Sequence, residues 1–192
     1  MRSPTFAPVA CISDEDDDRM LVERYLSGDN GAFTSLVVRY QRPIYNAAFW
    51  LLRKHEDAHD ISQTVFLKVA ERAGEYDPKY KFFSWIYRIA VNESLNLLRR
   101  NRHQDELDDG VDIAGEESAG PERQASSAEL ARQLGSAMMS MATSDRLVLT
   151  LRHFSECGYE EMAQILEIDE KTVKSRLFEA RRRLRGLLKD WK

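Results

Sequence analysis

The stretch YEEMAQILEIDEKTVKSRLFEARRRL, residues 159–184, has the pattern of a helix-turn-helix. A helix of about eight residues is followed by a short turn and a longer basic helix. Ala163 supplies the small side chain that is needed where two such helices cross, and Ile168 fills the turn. Asp169 is placed to cap the second helix, because its carboxylate can accept from free backbone N–H groups. Glu167 occupies the turn position where glycine is commonest, and a left-handed residue other than glycine costs about 1 kcal/mol there.

The second helix of this motif divides into two faces. Apolar residues recur at spacings that place them on one side, toward the core: Val173, Leu177, Ala180 and Leu184. The opposite face and the N-terminal end carry residues that we expect to reach base edges or phosphates in the major groove of DNA: Lys171, Thr172, Lys174, Ser175, Arg176, Phe178 and Arg182. An amphipathic hairpin that binds another protein would have the same periodicity, so both interpretations stay open at this point.

Charge divides the 192-residue chain into four segments, and the net charge of −4 conceals their differences. Residues 1–18 carry a net charge of −4 and predict an acidic N-terminal tail. Residues 105–126 carry −7 and are rich in glycine, with Pro121, so they predict a flexible acidic linker. Residues 19–104 and 127–192 carry +5 and +2, and we expect each to form a small domain. The acidic average therefore does not exclude a nucleic-acid partner, because charge acts locally.

The first domain is predicted to be helical throughout, because its apolar residues follow a 3.6-residue period and no window alternates like a strand. The fold class is therefore all-α. One face of its last helix combines aromatic, cationic and amide side chains, which suit unpaired bases and phosphates: Trp85, Arg88, Asn92, Asn96 and Arg99. The preceding aromatic-rich loop, with Tyr76 and Lys79, is suited to hold a flipped base. Aromatic residues at helical spacing also occur in cores, and that alternative stays open.

Composition and motifs exclude several classes of protein. No apolar run approaches 18 residues, so we expect no transmembrane helix. The acidic run near the N-terminus is unlike a secretory signal, and two cysteines cannot form a disulfide scaffold, so we expect a cytoplasmic protein. No nucleotide-binding loop and no acyl-transfer motif occurs. We therefore expect no cofactor.

Residues 55–59 spell H-E-x-x-H, the motif of zinc proteases. Three features argue against a zinc site. Arg53 and Lys54 stand where such helices usually carry apolar residues, and no convincing third ligand follows. Asp57 also suggests a helix start that would leave His55 outside the helix. We therefore expect no metal site, and a zinc hydrolase is kept only as an alternative.

Four segments of the chain resemble bacterial RNA polymerase sigma factors of the extracytoplasmic-function (ECF) type. They are LVERYLSGDNGAFTSLVVRYQ (21–41), DISQTVFLKV (60–69), FFSWIYRIAVNESLNLLRR (82–100) and the helix-turn-helix 159–184, and they occur in the family's order. The resemblance implies a region 2 helical bundle and a region 4 helix-turn-helix joined by a flexible linker. Periodicity and charge predict the same two-domain organisation independently.

The resemblance also implies roles for particular residues. The segment with Asp60, Gln63 and Phe66 is similar to the family's docking surface for the β′ clamp helices of RNA polymerase. Where the family usually has acidic residues in that segment, this chain has His59 and Thr64. The stripe from Trp85 to Arg99 is similar to the element that reads and melts the −10 promoter region, and the loop with Tyr76 and Lys79 to the one that captures a flipped base. The second helix of the helix-turn-helix resembles the reader of the −35 element.

The partners follow from the same resemblance. It implies a protein that is not an enzyme, binds core RNA polymerase through the β′ clamp helices and the β flap, and directs it to promoter DNA. It further implies an anti-sigma factor, a stress or envelope response, no membrane insertion, and a monomer when no partner is bound. A conventional helix-turn-helix regulator that binds operators as a dimer is the main rival, although the sequence offers no apolar seam for a dimer.

Overall fold

The computed structural model describes residues 15–105 and 122–189. These residues form eight α-helices, a 3-10 turn and a π-helical turn, and the described ranges contain no strand. The predicted all-α fold class is confirmed. None of these helices is long and apolar enough to cross a membrane. Most of the predicted tail and most of the predicted linker lie outside the described residues.

The first domain is a bundle of four helices around α2. They are α1 (Glu15–Leu26), α2 (Asn30–Leu52), α3 (His55–Arg72) and α4 (Phe82–Asp105), with the 3-10 turn at Ala73–Glu75. Helix α2 packs against α1, α3 and α4, so its apolar side chains form the middle of the core. The largest fully buried side chains come from three of the helices: Leu36, Ile44, Leu51, Val65, Val69, Ile86 and Tyr87.

Local sequence sets the two ends of α2. Asp29 caps its N-terminus, where the carboxylate accepts from the backbone N–H groups of Gly31 and Ala32. Arg53 ends the helix in a left-handed conformation, and its N–H donates to the Phe49 carbonyl. Pro43 lies inside this 23-residue helix, which continues past it although proline has no N–H to donate.

Asp18 joins α1 to α2 through a buried polar contact. Its carboxylate is 1% exposed and accepts from the Arg39 guanidinium and the Tyr40 hydroxyl. Burial, followed by the hydrogen bond to Asp18, raises the pKa of Tyr40 far above its usual range. The sequence pattern assigns Asp18 to the acidic tail. The structure corrects that assignment for residues 15–18, which are the first residues of α1.

Replacing Asp18 with Asn should lower the free energy of unfolding by about 2–4 kcal/mol, because Arg39 would keep its charge without its buried partner. Urea denaturation followed by circular dichroism measures this change. The matched control is Glu23→Gln, which removes an exposed ion pair with Arg19 and should change stability by less than about 0.5 kcal/mol. Equal effects of the two substitutions would contradict a structural role for Asp18.

The second domain is a four-helix unit that contains the helix-turn-helix. It consists of α5 (Glu122–Met139), α6 (Thr143–Leu149), the π-helical turn (Thr150–Phe154), α7 (Tyr159–Leu166) and α8 (Glu170–Lys189). Helix α5 begins inside the segment that its composition predicts to be linker, since residues 122–126 contain neither glycine nor proline to stop it. Helix α8 packs against α5, α6 and α7, and the core is lined by Met138, Leu149, Leu151, Met162, Ile165 and Leu177.

The two domains contact each other directly. Helix α2 packs against α6 and the π-helical turn, and α4 packs against α7. The Trp50 ring of α2 stacks on the Phe154 ring of the turn, with centroids 3.7 Å apart and planes 18° apart. Trp50 is 4% exposed in this arrangement. The sequence pattern predicts two domains, but it contains no signal for this contact.

Candidate nucleic-acid interface

The turn between α7 and α8 has the geometry that its sequence predicts. Glu167 is left-handed, with φ 53° and ψ 42°, and its N–H donates to the Ala163 carbonyl. Ile168 also donates its N–H to that carbonyl, at 3.1 Å, and its side chain packs against the core. A sharp change of direction follows, so that α8 leaves the turn with its N-terminal end exposed.

Asp169 caps α8, as the sequence predicts. Its carboxylate accepts from the Thr172 backbone N–H at 2.8 Å and from the Thr172 hydroxyl at 2.7 Å. These hydrogen bonds, that of the hydroxyl first, hold the pKa of Asp169 below its usual range. The Thr172 hydroxyl is therefore used to secure the start of the helix, which the DNA-contact prediction for Thr172 did not anticipate.

The buried side of α8 consists of Val173, Leu177 and Ala180, each 1% exposed or less, with Leu184 half-buried. At 100° per residue, Lys171, Ser175, Phe178 and Arg182 form a line on the opposite side. The Phe178 ring is 66% exposed, and no core contact accounts for a phenyl group there.

Two further predicted side chains flank that line. Lys174 pairs with Glu170 at 2.8 Å and lies 5.2 Å from the Tyr159 ring centroid, while Arg176 is exposed on the other flank. Arg182 pairs with Glu179 at 2.7 Å. These ion pairs are exposed, so a phosphate can replace the carboxylate at small cost.

The predicted stripe on α4 is partly exposed and partly packed. Asn92 and Asn96 are exposed, and Asn96 accepts from Arg99 at 3.2 Å. Trp85 is half-buried, with its ring centroid 5.7 Å from those of Tyr76 and Phe82. The stripe therefore has polar, accessible residues toward the C-terminal end of α4 and an aromatic cluster at its N-terminal end.

The loop before α4 extends that cluster. The Tyr76 hydroxyl donates to the Tyr80 carbonyl at 2.7 Å, and Asp77 accepts from the Lys79 backbone N–H at 3.0 Å. Lys79 and Tyr80 are exposed, and Tyr80 is an aromatic side chain that the sequence-based list of contact residues omits. An ordered loop with exposed aromatic and cationic side chains can stack on an unpaired base.

Helix α3 presents the predicted docking surface. Asp60 and Gln63 are exposed, whereas Phe66 is half-buried against the core. Leu67 belongs to the same surface and is 65% exposed, which is unusual for a leucine. Sequence reasoning missed Leu67 because an apolar residue on an amphipathic helix is normally assigned to the core.

The H-E-x-x-H segment has a different local structure from the one that its sequence suggests. Helix α3 begins at His55, so both histidines lie inside the helix, and the argument that placed His55 outside it is wrong. His55 Nδ1 is 2.5 Å from the Tyr45 hydroxyl, and its ring stacks on Phe49. No group of three metal-ligating side chains occurs among residues 15–105 and 122–189.

The described residues thus combine a capped helix-turn-helix, a second polar and aromatic helix face on α4, and an exposed polar surface on α3. This combination is typical of a two-domain transcription factor. The sequence matches the family model Sigma-70 region 2 over residues 36–104 and the model Sigma-70, region 4 over residues 126–184. The chain belongs to the sigma-70 family of transcription initiation factors, in the ECF group, which are not enzymes.

Relatives of known function align with this chain along almost its whole length. The ECF RNA polymerase sigma-E factor of Escherichia coli K12 is 33% identical over 179 residues, covering 88% of this chain and 93% of that protein. The RNA polymerase sigma-H factor of Pseudomonas aeruginosa is 31% identical over 176 residues, covering 87% of this chain and 91% of that protein. The sequence-based identification of the family is confirmed, and this chain is a sigma factor.

Two solved structures have the same two-domain architecture. CnrH, solved in complex with the cytosolic domain of CnrY, gives a TM-score of 0.71 at 27% identity and covers 91% of this chain and 99% of its own. The sigma factor RpoE from Bartonella quintana was solved in complex with the anti-sigma factor NepR. It gives a TM-score of 0.68 at 27% identity and covers 82% of this chain and 96% of its own.

Replacing Asp169 with Ala should lower the urea midpoint of unfolding, because the first turn of α8 would lose its capping acceptor. Asp169→Asn is the matched control and should retain most of the stability, since its side-chain oxygen can still accept. The pKa of Asp169 is lowered on folding, so its charge stabilises the protein above about pH 4 and this contribution is lost as the pH falls further. A midpoint unchanged in Asp169→Ala at neutral pH would contradict the capping role.

Proposed function

We propose that the exposed face of α8 reads the −35 element of a promoter in the major groove. The observation that carries the proposal is the separation of the two sides of this helix. Val173, Leu177 and Ala180 are buried, while cations, Ser175 and the 66% exposed Phe178 face outward. Lys171, Lys174, Arg176 and Arg182 supply contacts to phosphates and base edges, and Phe178 packs on a thymine methyl group.

Helix α4 and the loop before it act on the −10 element. Asn92, Asn96 and Arg99 lie on the accessible part of the stripe, where amide and guanidinium groups contact the bases and phosphates of an opened strand. Tyr76 and Trp85 lie next to each other at the other end, and exposed Lys79 belongs to the same loop as Tyr76, so a flipped base can stack there. Through these contacts the protein helps to melt the DNA.

Core RNA polymerase is the partner that allows two DNA contacts of modest affinity to select a promoter together. The α3 surface with Asp60, Gln63 and Phe66 binds the β′ clamp helices, and the second domain binds the β flap. Leu67 adds an apolar contact to the α3 surface, since its side chain is mostly exposed in the free protein. Polymerase then holds both DNA-reading domains at a fixed separation, so that their affinities multiply.

The partners of two solved relatives suggest how the protein is controlled. CnrH and the Bartonella RpoE were each solved with a protein partner, and the partner NepR is named an anti-sigma factor. An anti-sigma factor that covers the DNA-reading or docking surfaces would hold this chain inactive until a stress or envelope signal releases it. The protein then acts in the cytoplasm, where polymerase is, and is a monomer when free of partners.

Run-off transcription on a genomic library tests this function directly. Purified protein and core RNA polymerase are assayed together and separately. Transcripts that begin at defined sites only when both are present support the proposal, and the aligned start sites give the two promoter elements. Tight, specific DNA binding by the protein alone, without polymerase-dependent initiation, would instead favour a dimeric regulator.

Replacing Arg176 with Ala should weaken recognition of the upstream element by about 1–3 kcal/mol if the guanidinium reads a base edge. Binding of the holoenzyme to promoters with single substitutions in that element measures the loss and locates the base. Lys189→Ala removes the same unit of charge about 20 Å further along α8 and should leave sequence preference unchanged. An unaltered promoter preference in Arg176→Ala would refute its role in base readout.

Replacing Asn92 with Ala should impair promoter opening more than initial binding, because the amide would contact DNA only after the strands separate. Permanganate reactivity of unpaired thymines measures opening, and a gel-shift assay measures recruitment. Asn101→Ala is the matched control, because Asn101 lies on the opposite side of the same helix. Normal permanganate reactivity in the Asn92 variant would show that the stripe is only structural.

A further inference from the structure

The two histidines of the H-E-x-x-H segment lie in one open cleft at the start of α3. The cleft has a volume of about 380 Å³ and is lined by Tyr45, His55, Glu56, His59 and Asp60. Because α3 begins at His55, both histidines belong to one helix, four residues apart, with Cβ atoms about 5–6 Å from each other. This spacing puts two imidazole rings within reach of a single metal ion.

The His55 ring is oriented by two neighbours on α2. Its Nδ1 lies 2.5 Å from the Tyr45 hydroxyl, and the ring stacks on Phe49 with centroids 4.4 Å apart and planes 23° apart. A tyrosine hydroxyl can accept as well as donate, so Tyr45 can fix the tautomer that carries its proton on Nδ1. In that tautomer the lone pair on Nε2 of His55 is free to bind a metal ion.

His59 has a comparable partner on its own Nδ1. The side-chain amide nitrogen of Gln63 lies 3.3 Å from that atom, one turn further along α3. A half turn of the amide presents its oxygen instead, which accepts from Nδ1 and leaves Nε2 to a metal. Metal-binding histidines almost always have such a partner on the second ring nitrogen. Neither Nε2 atom makes a hydrogen bond within residues 15–105 and 122–189.

The charges around the cleft favour a cation. Glu56 and Asp60 are exposed on its wall, and neither has an ion pair in the part of the chain that the structure describes. The wall contains no lysine or arginine. Of the two cations that precede α3, Arg53 is directed to the Trp50 ring, 4.9 Å from its centroid, and Lys54 is exposed. The two carboxylates therefore attract cations to the cleft and can accept hydrogen bonds from metal-bound water.

The donor atoms select the class of metal ion. Imidazole nitrogen suits the divalent ions of zinc, copper and nickel, whereas magnesium and calcium require oxygen ligands. Two imidazoles, with water in the remaining positions, bind copper more tightly than zinc or nickel. A catalytic zinc site of the protease type has a third protein ligand, and the described residues supply none to this pair. The arrangement therefore fits a bound ion without hydrolytic chemistry.

We propose that His55 and His59 bind one divalent transition-metal ion through their Nε2 atoms, with Glu56 and Asp60 on the wall of the site. Asp60 also belongs to the α3 surface proposed to bind the β′ clamp helices, and Gln63 of that surface contacts His59. A bound ion therefore competes with polymerase for this face of α3. The competition rests on the proposed function of α3, whereas the metal site does not, so the two claims have separate readouts.

Isothermal titration calorimetry of the full-length, tag-free protein with Zn²⁺ and with Cu²⁺ tests the site. One ion should bind per chain, and His55→Gln and His59→Gln should each weaken binding about tenfold or more. His153→Gln is the matched control, because His153 is an exposed histidine outside the cleft, and its affinity should equal that of the wild type.

Two results of the titration would overturn the proposal. One is a wild type without saturable binding, or with the same affinity as both cleft variants. The other is a loss in only one of the two cleft variants, which would mean that a single histidine holds the ion.

Electron paramagnetic resonance of the Cu²⁺ complex counts the nitrogen ligands directly. The spectrum should show two imidazole nitrogens in the wild type and one in either cleft variant. Tyr45→Phe tests the orientation of His55, because this change keeps the aromatic ring and removes only the hydroxyl. Its affinity for Cu²⁺ should fall about tenfold or more, as expected when a metal-bound histidine loses its outer partner. An unchanged affinity would contradict the role given to Tyr45.

Binding of the fluorescently labelled protein to core RNA polymerase, with and without Zn²⁺, tests the competition. Zinc at a concentration that saturates only the wild type should weaken its binding several-fold and leave that of His55→Gln unchanged. The variant thus separates occupation of the cleft from any effect of zinc on polymerase. A filled cleft with unchanged polymerase affinity would overturn the competition. Failure of run-off transcription by the metal-free wild type would overturn the proposed function and leave the metal site standing.

Discussion

Burial of Val173, Leu177 and Ala180 against α5, α6 and α7 is the constraint from which the rest of the second domain follows. Each of these side chains is 1% exposed or less, and burial of residues such as valine and leucine is worth about 1.5–3 kcal/mol apiece. Rotation of α8 about its axis would expose them, so the helix has one stable orientation. The face that then remains outside is fixed as well, and it is the face that carries Phe178 and the basic residues. Core packing therefore decides which residues of α8 are exposed.

A similar constraint acts between the domains. In the first domain α2 supplies the centre of the core, and Trp50 and Arg53 at its C-terminal end contact the second domain. The second domain meets these residues with Phe154 and Gly135, so one helix connects the stability of the bundle to the position of the helix-turn-helix.

Much of this structure could be predicted from sequence, because the signals are local. The spacing of Val173 and its apolar neighbours gave the faces of α8, and Glu167 and Asp169 gave the turn and the cap. The features that were missed depend on residues far apart in the chain. Asp18 was assigned to the tail because a run of acids gives no sign that one of them meets Arg39. The Trp50–Phe154 stack was not foreseen either, because each ring also fits its own helix pattern.

The most direct test of the central claim is site-specific photo-crosslinking within one holoenzyme at its promoter. A photoreactive amino acid replaces Phe178 in one preparation and Asn92 in another, and the crosslinked DNA positions are mapped by primer extension. The account predicts crosslinks from position 178 in the −35 element and from position 92 in the −10 element, and only when core polymerase is present. Crosslinks from both positions to one element, or equal crosslinking without polymerase, would contradict it.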